Sequence, residues 1–303
     1  MTRAKIKAVS PDLFLITLPP PKPGFEDFIS VWVKTGNPSF LVDVGPSVTV
    51  QALESALHEL GIRSLGYIFL THIHLDHAGG IGHMAQRFPN TPIVCHPLAI
   101  SHLGDPTRLW EGSLNTLGDT ARAYGPIQPT PENRLVNVEN FKDLPIKAFI
   151  TPGHAPHHVA FMDGPFLFAG EACGVHLELA SGDVYHRPAT PPKFFLDTTL
   201  NSIDLLLAQR PEIICFGHYG LSDQATHWLS FHKKQLMLWE SILKDLLDQE
   251  GEEGFFRACL ERLILEDPLM SPFHGFDLDT KKREEDLIHN SIKGYLGYLK
   301  TPG

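Results

Sequence analysis

Residues 69–80 read FLTHIHLDHAGG, from Phe69 to Gly80, and place His72, His74, Asp76 and His77 close together on one short stretch. It begins inside YIFLT (Tyr67–Thr71), whose aromatic and β-branched residues read as a strand. Imidazole nitrogen and carboxylate oxygen are ligands suited to Zn, Fe, Mn or Co. In an extended turn His72 and His74 point to the same side, because side-chain direction alternates with period two. One ion can therefore take both. Asp76 and His77 fall where the chain turns into the next helix, so they can face a second ion. Gly79 and Gly80 are expected to let the backbone bend tightly there. A histidine-rich surface loop is the competing reading, and the position at the end of a buried strand weighs against it.

A metal pair needs further ligands from other strand ends. TPGHAPHH (Thr151–His158) offers His154 after KAFI, FLFAGE (Phe166–Glu171) offers Glu171, and CFGHYG (Cys215–Gly220) offers His218. Each repeats the order apolar strand, small residue, ligand.

Around these stretches the pattern is mixed. LFLITL (Leu13–Leu18), SVWVKT (Ser30–Thr35) and SFLVDVG (Ser39–Gly45) read as strands bounded by Pro and Gly. SVTVQALESALHEL follows as a helix with Leu53, Leu57 and Leu60 on one face and Gly61 as its stop. A helix near Gly80–Phe88 and a strand PIVCH (Pro92–His96) come next. Residues from about 97 to 140 read as an insertion with short helices. Strand signals resume at KAFITPG, HVAFMDG, PFLFAGE and EIICFGHYG. RPATPPKFF (Arg187–Phe195) is a stiff loop, since closely spaced prolines fix φ, and TTLNSIDLLLAQR then reads as a helix. Beyond about residue 222 the pattern is helical. Apolar stripes run through Leu236, Trp239, Leu243 and Leu246, then Phe256, Cys259, Leu260, Leu263 and Ile264, then Ile288, Ile292, Tyr295, Leu296 and Leu299. We expect residues 1–222 to form the catalytic domain, and residues 223–303 a helical extension packed on it or on a second subunit.

Composition bounds the function. Of 303 residues, 43% are hydrophobic and 20% charged, enough for a sizeable core. The formal charge of −10 makes nucleic acid a poor partner. KKRE (Lys281–Glu284) sits beside further acids and reads as a solvated helix face. Cys95, Cys173, Cys215 and Cys259 form no C-x-x-C pair and read as buried thiols. No run reaches the length of a membrane span, and the short apolar run near the N-terminus is not expected to act as a signal peptide. The expectation is a cytoplasmic protein with a small-molecule substrate, no nucleic-acid or membrane partner, and a homodimer through the C-terminal helices as the candidate assembly.

The ordered set H-x-H-x-D-H, T-P-G-H, an acidic residue and a last histidine resembles the metallo-β-lactamase superfamily over about residues 10–222. The resemblance implies an α+β fold, a four-layer αβ/βα sandwich, with the C-terminal helical extension added. It implies that His72, His74 and His154 hold a first ion, that Asp76, His77 and His218 hold a second, and that Glu171 bridges them. The family usually has aspartate at the bridge, so Glu171 is a departure. Asp43 matches an early-strand aspartate expected to support a ligand histidine. The R-P-A-T-P-P loop and helical tail resemble a branch whose substrate they do not name. The implied cofactors are two divalent ions, Zn first and Fe or Mn as alternatives. The implied activity is hydrolysis of a small ester, thioester or lactone by a metal-bridged hydroxide, with Asp76 orienting the hydroxide and Tyr219 donating to the oxyanion. A diiron or mononuclear-iron oxidoreductase and a small-molecule phosphodiesterase are the alternatives. His157 and His158 would line the cleft or fix His154, Arg187 would meet an anionic substrate group or a surface partner, and Cys173 reads as a buried packing residue.

Overall fold

The computed structural model describes residues 3–179, 181–251 and 253–300. The first sheet has seven strands: β1 (Lys5–Ala8), β2 (Leu13–Thr17), β3 (Ser30–Lys34), β4 (Phe40–Val42), β5 (Tyr67–Phe69), β6 (Ile93–Cys95) and β7 (Leu135–Asn137), adjacent in chain order. Strands β1 to β4 pair antiparallel, and β4 to β7 pair parallel. Parallel steps need crossovers. These carry α1 (Val50–Glu59), α2 (Leu75–Ala78), α3 (Ile81–Arg87), α4 (Pro97–Gly104), α5 (Thr107–Leu117) and α6 (Asp119–Tyr124).

The second half of the chain continues with β8 (Lys147–Ile150), β9 (Val159–Asp163), β10 (Phe166–Gly170), β11 (Val175–Glu178), β12 (Val184–Arg187), α7 (Leu196–Ala208), β13 (Ile213–Phe216) and β14 (Leu221–Ser222). Five of these strands form the second sheet in the order β14-β13-β10-β9-β8, while β11 and β12 make a separate antiparallel hairpin.

Side-chain alternation builds the layers. Leu13, Leu15, Trp32, Phe40, Val42, Phe69, Val94, Phe161, Phe168 and Cys215 form one buried cluster between the sheets. Their neighbours in sequence, including Ile16, Val31, Val33, Leu41, Ile68, Ala160, Leu167 and Ile214, join the helices in a second cluster. The result is helix on sheet, sheet on sheet, and sheet on helix, the four-layer α+β sandwich that the motif order implied.

The last elements are α8 (Ala225–Asp245), α9 (Phe255–Glu266) and α10 (Leu278–Leu299). Leu236, Trp239, Leu243, Leu263, Ile288, Ile292 and Tyr295 are buried in the same cluster as the sheet residues. The extension therefore packs on the sandwich. Trp239 Nε1 and Gln235 Nε2 donate to Asp267 Oδ2 at 2.8 and 2.7 Å, pinning α8 to the turn after α9.

One expectation needs correction, and another gains a packing reason. KKRE is not a wholly solvated face: Arg283 and Glu284 are buried, Glu284 completely. Two arginines reach Glu284, Arg283 through its Nε at 2.8 Å and Arg187 of β12 through its Nε, and the opposite charges make burial tolerable. Gly79 and Gly80 do form a turn, with φ in the helical region. They are small because a Cβ on Gly79 would lie 2.3 Å from the Leu75 carbonyl oxygen, and one on Gly80 2.6 Å from Val50 Cγ2. Among the described residues no helix is long and apolar enough to cross a membrane.

Candidate metal centre

Four strand ends deliver the candidate ligands. His72, His74, Asp76 and His77 follow β5, with α2 carrying Asp76 and His77 in one short turn. His154 follows β8, Glu171 follows β10, and His218 follows β13. The small residues before the last two have a packing reason. Gly170 takes φ +53, and a Cβ there would sit 2.5 Å from His158 Nε2. A Cβ on Gly217 would meet the Gly170 backbone at 2.7 Å. Bare backbone thus lets the ends of β10 and β13 close, and His218 Nε2 comes to 3.0 Å from Glu171 Oε1.

The side chains gather in two groups, His72, His74, His154 and Glu171 in one, and Asp76, His77 and His218 in the other. Within each, ligand atoms lie within 4.8 Å of one another. Glu171 stands between the two. Its Oε2 lies 2.8 Å from His154 Nε2, 3.4 Å from His72 Nε2 and 3.6 Å from His77 Nε2, and its Oε1 faces His218.

Supporting hydrogen bonds aim the rings. His77 Nδ1 donates to Asp43 Oδ2 at 2.9 Å, His154 Nδ1 to the Ala189 carbonyl at 2.8 Å, and His218 Nδ1 to the Phe28 carbonyl at 3.2 Å. Each leaves the Nε2 lone pair facing inward. His72 Nδ1 donates to Thr71 Oγ1 at 3.1 Å, and Thr71 Oγ1 donates onward to Asp43 Oδ2 at 2.7 Å. Asp43 Oδ1 takes the Thr71 amide at 2.8 Å. Asp43 therefore supports one histidine of each group, the role its position suggested. It holds φ +62 to do so, a conformation aspartate tolerates better than most residues.

The donor set fits divalent ions. His72 Nε2 and His77 Nε2 are buried without a hydrogen-bond partner among the described residues, and buried polar atoms are rarely left so. His154 Nε2 and His74 Nδ1 approach to 2.8 Å, two ring nitrogens aimed at one space. Burial and the nearby His77 hold His72 well below the ordinary imidazole range, and burial with His154 takes His74 down to about 4. Both are neutral ligands at pH 7. Burial disfavours charge on His77, yet Asp76 and Asp43 outweigh it and raise its affinity for a proton. Burial likewise opposes charge on Glu171, and His154 and His218 outweigh it, keeping the carboxylate ionised.

The centre opens on a cleft of about 490 Å³. Its walls include Phe28, Leu109 and Leu117 of the insertion helix α5, Pro191 of the proline loop, and Leu287 of α10. Phe28 stacks on His218 with centroids 4.1 Å apart. The proline loop thus lines the cleft and, through Ala189, aims His154.

Other residues fall out as follows. His157 lines the cleft, whereas His158 does not fix His154. His158 Nδ1 donates to Thr151 Oγ1 at 2.8 Å, and its Nε2 accepts the Glu171 amide at 3.1 Å, so it sets the Glu171 backbone. Nothing but its place beside TPGH marked it. Tyr219 is not among the cleft-lining residues; its ring packs half-buried against the apolar clusters. Strand β13 ends at Phe216, and the bend over residues 217–219 brings His218 to the centre without bringing Tyr219 to the cleft. Arg187 is no surface residue: it is buried and lines the cleft. Cys173 is buried, and burial pushes its thiol up, away from thiolate chemistry. His176 and His186, unassigned from the sequence, pair across the β11–β12 hairpin, and His186 meets His232 of the helical extension.

Fold and site together define a two-sheet sandwich with a candidate metal centre at its strand ends. The chain belongs to the metallo-beta-lactamase superfamily, whose sequence profile matches residues 27–218. It is 25% identical over 227 residues to the metallo-beta-lactamase fold-containing protein ST1585 of Sulfurisphaera tokodaii, covering 72% of this chain and 82% of that one. The crystal structure of ST1585 superposes with a TM-score of 0.67 at 23% identity, covering 93% of this chain and 97% of that one. That of the metallo-beta-lactamase family protein TTHA1429 from Thermus thermophilus gives 0.66 at 22% identity, with 97% and 94% covered. A hydroxyacylglutathione hydrolase of Salmonella typhi is 30% identical over 174 residues, 54% of this chain and 56% of that enzyme.

Proposed function

We propose that this chain is a dinuclear metal hydrolase of a small ester, thioester or lactone. The observation that carries the reading is Glu171, a buried carboxylate whose two oxygens face two separate ligand groups. In this reading His72, His74 and His154 would hold one divalent ion, Asp76, His77 and His218 the other, and Glu171 would serve both groups. Zn is the first choice by donor chemistry. Such ions supply Lewis acidity and a water that ionises near neutral pH.

The chain's own residues do the rest. Asp76 lines the cleft beside the histidines and offers a carboxylate oxygen to orient the attacking water and hold its proton. Leu109, Leu117 and Leu287 narrow the water-filled space around the scissile bond, which strengthens every charge interaction there. Phe28 and Asp43 hold His218 and His77 still. No serine or cysteine nucleophile is required.

Elemental analysis of the purified protein, followed by an ester, thioester, lactone and phosphodiester panel at equal metal loading, tests the reading. We expect about two transition ions per chain on reconstitution and turnover of one acyl substrate. A protein that binds no transition ion, cleaves only the phosphodiester, or consumes oxygen instead of hydrolysing would overturn it.

A further inference from the structure

Arg187 ends β12 with 2% exposure, and it lines the cleft. Its Nε donates to Glu284 Oε2 and its Nη1 to the Pro188 carbonyl at 3.1 Å. Its Nη2 is buried and has no hydrogen-bond partner among the described residues. Glu284 has nothing further to give. Its Oε2 also accepts from Tyr185 at 3.0 Å, and its Oε1 accepts from Arg283 Nε at 2.8 Å.

Two guanidinium groups therefore share one carboxylate in a buried place, leaving one positive charge over. Arg283 disposes of its share: it donates to the Gly24 carbonyl and lies 4.2 Å over the Phe28 ring. Arg187 spends its Nη1 on the Pro188 carbonyl and feels the charge of Glu171, yet its Nη2 keeps no hydrogen-bond partner among the described residues. A buried donor without a partner is costly, and an acceptor entering the cleft would relieve it. The remaining charges agree. Apart from Asp76 and Glu171, the charged residues lining the cleft are Arg108 and Arg187, in a chain whose net charge is −10.

We propose that Arg187, held in place by Glu284 of α10, binds a carboxylate on the substrate, so that the molecule carries an acid at one end and the scissile acyl group at the other. One free nitrogen among apolar walls suits a single carboxylate better than a phosphate dianion, which needs several donors. The scissile end rests on the hydrolytic reading above; the carboxylate contact does not.

The test pairs two thioesters of N-acetylcysteamine with acyl chains of equal length, one glutaryl and one with the terminal carboxylate replaced by carboxamide. Alongside, calorimetry measures glutaramate and glutaramide binding to the metal-loaded protein. In the wild type the carboxylate should improve KM and Kd by about tenfold or more, the usual yield of a charged hydrogen bond. In Arg187→Met the gap should close to within about twofold, and Arg187→Lys should restore part of it. If Arg187→Met does not fold, Arg187→Met combined with Glu284→Gln removes one charge of each sign and serves instead. No preference in the wild type, or a preference that survives the loss of Arg187, overturns the proposal. Arg187-dependent glutaramate binding without thioester turnover would leave the assignment standing and sink the hydrolytic reading. Turnover without preference would do the reverse.

Discussion

Asp43 shows how much one side chain can hold. It accepts from the Thr71 amide, from Thr71 Oγ1 and from His77 Nδ1, and through Thr71 it reaches His72. Its charge therefore steadies one imidazole of each ligand group. Asp43→Asn is a clean probe, because asparagine also tolerates the left-handed backbone held here at φ +62. The fold should survive, while metal affinity measured by chelator competition should fall about 10- to 100-fold. An unchanged affinity would reduce Asp43 to a turn former. Asp43 and the seven candidate ligands were legible in the sequence because motif and strand-end placement coincide. His158 was not. Its contact is with the backbone amide of Glu171, and such a bond leaves no pattern in the partner's identity. Tyr219 misled because adjacency to His218 in sequence does not place both side chains in the cleft when the chain bends between them.

Among the elements, α10 reaches the cleft from outside the two sheets through Leu287, Asn290 and Ser291. Thr190 Oγ1 donates to the Ser291 carbonyl at 3.0 Å, and the helix meets the proline loop where Gly294 lies against Pro191. A Cβ on Gly294 would stand 2.2 Å from the Pro191 carbonyl oxygen. Gly294→Ala thus opposes two effects. Helix propensity favours alanine by about 1 kcal/mol, and forcing backbone apart in a packed contact costs about 1–3 kcal/mol. We expect net destabilisation of about 1 kcal/mol in urea unfolding, with KM rising as the Pro191 wall shifts. A variant as stable as the parent would mean that helix and loop are not in close contact. Long helices and apolar strands were readable from periodicity, as the stripe through Leu236, Trp239 and Leu243 demonstrates. The β11–β12 hairpin was not, because His176 and His186 occupy buried positions where a strand signal calls for apolar residues. The Arg283–Glu284 pair was hidden for a related reason. A charge run looks solvated until its partner, here Arg187 from a distant strand, is in place.

At the scale of the whole molecule, the C-terminal helices and the sandwich share a polar interior as well as an apolar one, and that sets an acid limit on stability. His186 Nε2 lies 3.3 Å from His232 Nδ1, and His176 stacks on Phe216 with centroids 3.9 Å apart. Burial takes His176 down to about 3 and His232 to about 4 from an ordinary 6.5, and burial with His232, His176 and Arg187 holds His186 well below its usual range. The native state therefore stays neutral at these rings where the unfolded chain takes up protons. The unfolded state binds more protons below pH 6.5, so stability rises with pH there and is lost as pH falls from 6.5 toward 4. Glu284 adds a second loss further down: burial opposes its charge, but Arg187 and Arg283 hold it at about 2 against an ordinary 4.5, so its contribution fades only below 4.5. His176→Phe separates the two. Phenylalanine keeps the stack on Phe216 and removes the titrating nitrogen. The slope of unfolding free energy against pH between about 6 and 5 should shrink by up to about 1.4 kcal/mol per pH unit, while the steeper fall below 4.5 should persist. Chemical denaturation across that range in parent and variant decides the matter, since any contribution from the metal centre is common to both. Equal slopes would show that His176 takes up its proton in the folded state as readily as in the unfolded one.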